Sequence, residues 1–190
     1  MTTTSLFRPN LGISAMFFSL CGAFWLTMWS NRISDSRPVI HTSIVLGTIF
    51  LFSAALYAYQ RNKKAKAESA DSPAKKRAVR AFYGANAGQW LLIGVVYHIL
   101  VHSGHLEWGV PAIIFIIGLH FLPLASAYHY AADFVTGSAL MLWAVGYALF
   151  AAHGPTNPVG CLGTGLILWA SALYGLSVKP FYREVYFQRS

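Results

Sequence analysis

The feature that most constrains this chain is Val110 to Tyr128, VPAIIFIIGLHFLPLASAY, 19 residues without a formal charge. As an α-helix the stretch is about 28 Å long, close to the hydrocarbon thickness of a bilayer. Five further apolar blocks of similar length accompany it: Leu11–Trp29, Val39–Tyr59, Ala81–Val101, Phe134–Ala152 and Val159–Val178. Only 11% of the 190 residues are charged, against roughly 25% in a soluble domain. The pattern predicts an all-α integral membrane protein. Six transmembrane helices would form one domain over residues 1–190, with the lipid bilayer as its principal partner.

The basic residues set an orientation. Of the connections, only Arg61 to Arg80 is long and polar, and it carries eight Lys or Arg against two acidic residues. The positive-inside rule puts this segment 61–80, Arg8 and the C-terminal tail 179–190 on the cytoplasmic side, leaving only Arg32 and Arg37 opposite. Six spans return both termini to one side, and the expected location is a bacterial inner membrane. The net charge of +8 is thus read as a topology determinant, with no nucleic acid expected as partner. The N-terminus has a single Arg before its apolar run and no small-x-small cleavage site after it, which suggests an uncleaved first span. Cys21 and Cys161 fall at different depths within apolar blocks, so no disulfide is expected.

Laying the second span on the fourth at an offset of 71 aligns Gly47 with Gly118, Phe50 with Phe121, Ala54 with Ala125 and Tyr57 with Tyr128; Gly163 joins from the sixth. One reading is three two-helix hairpins repeated about an axis along the membrane normal. The competing reading is an aromatic belt with ordinary packing glycines. The layout resembles that of small bacterial six-span membrane proteins, some of them built from two-helix repeats. That likeness implies no functional residue. A bundle this small is also compatible with a homo-oligomer.

Polar groups inside apolar spans are costly and mark candidate sites. His120 sits near the middle of the fourth span. Pro123, lacking an N–H, leaves the Leu119 carbonyl without its usual helical donor, so a titratable ring and a free acceptor lie together. Asn86 and Gln89 are polar in the inner half of the third span, beside Gly84 and Gly88, whose GxxxG spacing permits close helix approach. Gly47, Gly118 and Gly163 are further packing candidates.

At the other end of the third span, YHILVHSGH places His98, His102 and His105 at i, i+4 and i+7, one helix face. His41 and His153 are expected at a similar depth. Such imidazoles can hold a transition metal, or haem iron between facing helices. Gly104, however, is a natural helix stop that would break the stripe. Asp133 precedes the fifth block and is expected to cap its helix. There is no Gly-rich phosphate loop, no Ser–His–Asp order and no paired intramembrane carboxylate, which speaks against a hydrolase or phosphotransferase. The leading expectation is movement of a small solute or ion past His120, Leu119, Asn86 and Gln89. The alternatives are a metal- or haem-binding redox or sensor protein built on the histidines, and an accessory protein that docks a partner.

Overall fold

The computed structural model describes residues 11–33, 38–61, 73–128 and 130–177. They form six long helices: α1 Leu11–Ile33, α2 Pro38–Arg61, α3 Pro73–Ser103, α4 Gly109–Tyr128, α5 Ala131–Phe150 and α6 Val159–Ser177. Each contains a stretch long and apolar enough to cross a membrane, and no strand occurs among the described residues. Arg8, the linker half of the basic segment and the tail 179–190 lie outside them.

Two boundaries differ from the sequence reading. The segment 61–80 is not all loop, because α3 already begins at Pro73 and carries Lys75, Lys76, Arg77 and Arg80 in its first two turns. Proline suits a first helical turn, where its fixed φ is helical and its missing N–H costs nothing. At the fifth span, α5 begins at Ala131, three residues before the apolar block. Elsewhere local chemistry ends the helices as expected. Gly104 takes φ +76° after α3, and the His105 N–H donates to the Leu100 carbonyl at 3.0 Å, the bond that closes a glycine-terminated helix.

The helices pack as an arc in the order α2, α1, α6, α5, α4, α3. The broadest interfaces are α1 with α6 and α4 with α5. Both depend on glycines that let backbones meet. A Cβ at Gly118 would lie 2.7 Å from the Gly137 carbonyl oxygen, and one at Gly165 would lie 2.9 Å from that of Gly22. Tryptophans fill the neighbouring grooves. The Trp169 indole packs on Gly22 and Gly47 and donates to the Ser19 carbonyl at 3.1 Å. Trp143 lies on Gly163 and donates to the Gly160 carbonyl at 3.0 Å. Across the centre, Phe18 of α1 meets Phe121 of α4 edge-on, with ring centroids 5.4 Å apart.

Gly47, Gly118 and Gly163 are therefore all packing glycines, but their neighbours differ: α6 for the first, α5 for the other two. Three hairpins closed into a ring would also require α2 to pack on α3 as α4 packs on α5 and α6 on α1. Among the described residues, no interface of that extent forms between α2 and α3.

Helix α3 is the outlier. None of its span is buried, whereas α1, α4, α5 and α6 each bury over a third of theirs. It packs on α4 through a partly buried stripe that includes Ala81, Ala85, Gln89, Ile93, Val96 and Leu100. Gly84 and Gly88 lie off this stripe, are exposed, and have nothing within 4 Å of where a Cβ would be. The expected GxxxG contact is not made, because the spacing presents a smooth surface to the side of α3 that has no neighbouring helix. It follows that Gly118→Ala should destabilise the bundle by roughly 1–3 kcal/mol, since backbone must move. Gly88→Ala should leave stability unchanged or raise it by up to about 1 kcal/mol. Reversible unfolding in mild detergent, followed by tryptophan fluorescence, measures both.

Candidate functional site

A cavity of about 510 Å³ opens between the first turns of α1, the first turns of α5 and the last turns of α6. The volume falls in the range of small-molecule sites. Its wall is mostly apolar, with Phe18, Val135, Ala139 and Ile167, and a few polar groups converge on it: Ser14, Tyr130, Asp133, Thr136, Ser171 and Tyr174. The helix register explains the convergence. Asp133 and Thr136 are three residues apart on α5, as are Ser171 and Tyr174 on α6, so each pair shares a face.

Asp133 is the charged group among them. It is only 9% exposed, and it is not the cap of α5. That position is Tyr130, with φ −117° and ψ 100° and no side-chain capping bond. Helix α5 starts earlier than the apolar block suggested, and this moves Asp133 into the first turn. Its N–H donates to the Tyr130 carbonyl at 3.2 Å. Its carboxyl still lies near the positive end of the helix dipole. Among the described residues, no Lys, Arg or His lines the cavity.

Beside it, Thr136 and Ser171 tie α5 to α6. The two hydroxyl oxygens are 2.8 Å apart, and each also approaches its own helix, at the Ala132 carbonyl (2.9 Å) and the Ile167 carbonyl (2.8 Å). Two hydroxyl protons serve three contacts, so one hydroxyl must release its carbonyl whenever the pair bonds. Tyr130, between the spans, has its phenol pushed up to about 12 by burial first, then by the charge of Asp133 and by Tyr174. It stays a neutral hydroxyl at physiological pH.

His120 is elsewhere. It is half-buried on α4 and meets the backbone of Ala85 on α3. Its Nδ1 is buried with no hydrogen-bond partner among the described residues, and its ring meets Phe121 edge-on at 5.6 Å. Pro123 lies within α4, which continues through it, and Leu119 is partly exposed. Gln89 shares the α4-facing stripe of α3 with Ala85. The Asn86 amide does not reach across helices; it donates to the Phe82 carbonyl on its own helix at 3.0 Å. Ser, Thr and Asn commonly take such local bonds.

The histidines do not assemble. His98 and His102 adjoin, with ring centroids 4.0 Å apart, and His102 Nδ1 lies 2.9 Å from the His98 carbonyl oxygen. Past the Gly104 stop, His105 turns to Glu107 at 3.1 Å. His41 bonds to α1 instead, 3.0 Å from the Asn31 side-chain oxygen and 3.2 Å from the Ser30 hydroxyl. His153 sits in the turn after α5 in a left-handed conformation, φ 65°. Among the described residues, no three His, Cys, Asp or Glu are grouped so as to hold a metal. Cys21 and Cys161 are both free thiols.

Comparison with protein-family models, with curated proteins and with solved structures returns no match.

The sequence reading passed over Ser14, Tyr130, Asp133, Thr136, Ser171 and Tyr174 as a group. The usable signal was Asp133-x-x-Thr136 followed by Ala139, a small-and-polar face in an otherwise apolar segment. Starting the fifth span at Phe134 hid it.

A carboxyl on so buried a residue, with no counter-charge among the described residues, is a cost to the fold. Asp133→Asn, similar in shape, should therefore fold with stability unchanged or raised by up to about 3 kcal/mol. A loss of more than about 1 kcal/mol in the same unfolding measurement would mean that the carboxyl has a structural partner.

Proposed function

We propose that this six-helix membrane protein moves a small solute or ion, and that the cavity between α1, α5 and α6 is where the cargo binds. One observation supports the reading above the others: a nine-tenths-buried Asp133 on the wall of a small-molecule-sized cavity. Ionisable groups within membrane bundles face interior cavities and mark solute and proton pathways, and Asp133, in the first turn of α5, stands on the wall of such a cavity. The wall combines a mainly apolar lining with a few convergent polar groups, the composition of a ligand site.

The proposed setting is a bacterial inner membrane with both termini cytoplasmic, which puts the cavity at the inner face, level with the basic segment. His120 belongs to a separate place, the α3–α4 interface, and is absent from the cavity wall. Its part in the path is thus separable from that of Asp133.

Purified protein in liposomes, given gradients of protons, methylammonium, potassium, acetate and glycerol, should carry at least one of these faster than protein-free vesicles do. Ala139→Phe, which fills the cavity and leaves Asp133 in place, should bring that flux down by about tenfold or more. His120→Ala should retain at least about half of it. Undiminished flux in Ala139→Phe would overturn the reading, and loss confined to His120→Ala would move the path to the α3–α4 interface.

A further inference from the structure

We propose that the cargo class of the cavity is a small organic cation, an amphiphilic protonated amine. The inference rests on the reading of the cavity as a cargo site, and it follows from what the wall offers and what it lacks. Asp133 is nine-tenths buried as a residue and lines the cavity, and no hydrogen bond or ion pair to its side chain is formed among the described residues. A buried carboxylate needs a compensating charge, and no basic side chain among the described residues of the wall supplies one. A cationic ligand would.

The neighbours narrow the class. Phe18, Tyr130 and Tyr174 bring three aromatic rings to the same cavity, and ring faces attract ammonium groups most strongly when desolvated. The Tyr130 phenol remains neutral and so adds no second negative charge. Val135 and Ile167 give the rest of the wall an apolar character, which suits a hydrocarbon body and disfavours a hydrated inorganic ion. Calcium takes six to eight oxygen ligands and zinc three or four His, Cys or carboxylate ligands; here one carboxyl is joined by scattered hydroxyls, and among the described residues no three His, Cys, Asp or Glu are grouped to hold a metal. An anion would meet the like charge of Asp133. The Thr136 and Ser171 hydroxyls, with more acceptors than protons between them, can accept from an ammonium N–H without a new donor being needed.

The test uses the full chain in phosphatidylcholine nanodiscs, titrated calorimetrically with three probes of one shape and different charge: benzylammonium, benzyl alcohol and benzoate. Benzylammonium should bind saturably and at least about tenfold tighter than benzyl alcohol, with no measurable binding of benzoate. Asp133→Asn should abolish the preference for the ammonium over the alcohol, and Asp133→Glu should keep it. Excess potassium chloride should not displace the amine. Equal binding of the amine and the alcohol to the unsubstituted protein would overturn the proposal, and that comparison needs no variant to fold. So would a preference that survives in Asp133→Asn, or displacement by potassium. The two readings fail separately. Charge-selective binding without flux in liposomes removes transport and leaves the ligand class; flux of neutral or anionic solutes without amine preference does the reverse.

Discussion

The structure depends on the places where glycines let helix backbones touch. In a bilayer, helices gain little from hiding apolar side chains from lipid, so association relies on close packing and on hydrogen bonds between spans. Gly118 against Gly137 draws α4 onto α5, and Gly22 against Gly165 draws α1 onto α6. These contacts build a four-helix centre of α1, α6, α5 and α4. Of the peripheral helices, α2 packs on α1, where a Cβ at Gly12 would lie 3.0 Å from the Ala55 carbonyl oxygen, and on α6 through Gly47 under Trp169, whereas α3 attaches through one stripe on α4. An indole that bonds a neighbouring carbonyl, as Trp169 does at Ser19, gives the packing direction as well as area.

The same geometry opens the cavity. Close approach of α1 and α6 at Gly22–Gly165 sits near the middle of α1, deeper in the bundle than the cavity. Nearer the α5 N-terminus the wall includes Ser14, Ala139 and Ala170, small residues that leave space among α1, α5 and α6. Asp133, Thr136 and Ser171 project where packing is incomplete. A tight crossing at one level and a loosely filled junction at another are thus parts of one arrangement, and the polar side chains are found at the loose level.

Much of the fold was legible. Six uncharged blocks of the right length gave the spans within a few residues, since the bilayer fixes that length and no soluble alternative accommodates so many. Gly104 as the stop of α3 could be read from the chemistry of its dihedral freedom. The candidate site was not legible, for a physical reason. Hydropathy marks a span by its apolar residues, so the start of α5 was set at Phe134 and Asp133 fell outside it, although the helix itself begins at Ala131. His120 drew attention because it interrupts an apolar run, yet it faces α3 rather than the cavity. Gly84 and Gly88 matched a packing motif, but a motif cannot say whether a partner helix is present. The five histidines share a depth in sequence terms and diverge once turns and helix faces are placed, His41 toward α1 and His105 toward Glu107.

The most direct test of the central claim, an accessible cavity at the level of Asp133, is the reactivity of a thiol placed inside it. Ala139→Cys in sealed, oriented vesicles would be exposed to a membrane-impermeant, trimethylammonium-bearing methanethiosulfonate from the side of the 61–80 segment. The expected result is rapid modification, well above that of the unsubstituted chain with its half-buried Cys21 and buried Cys161. An Ala139→Cys thiol that reacts no faster than those two would contradict the cavity and the function built on it.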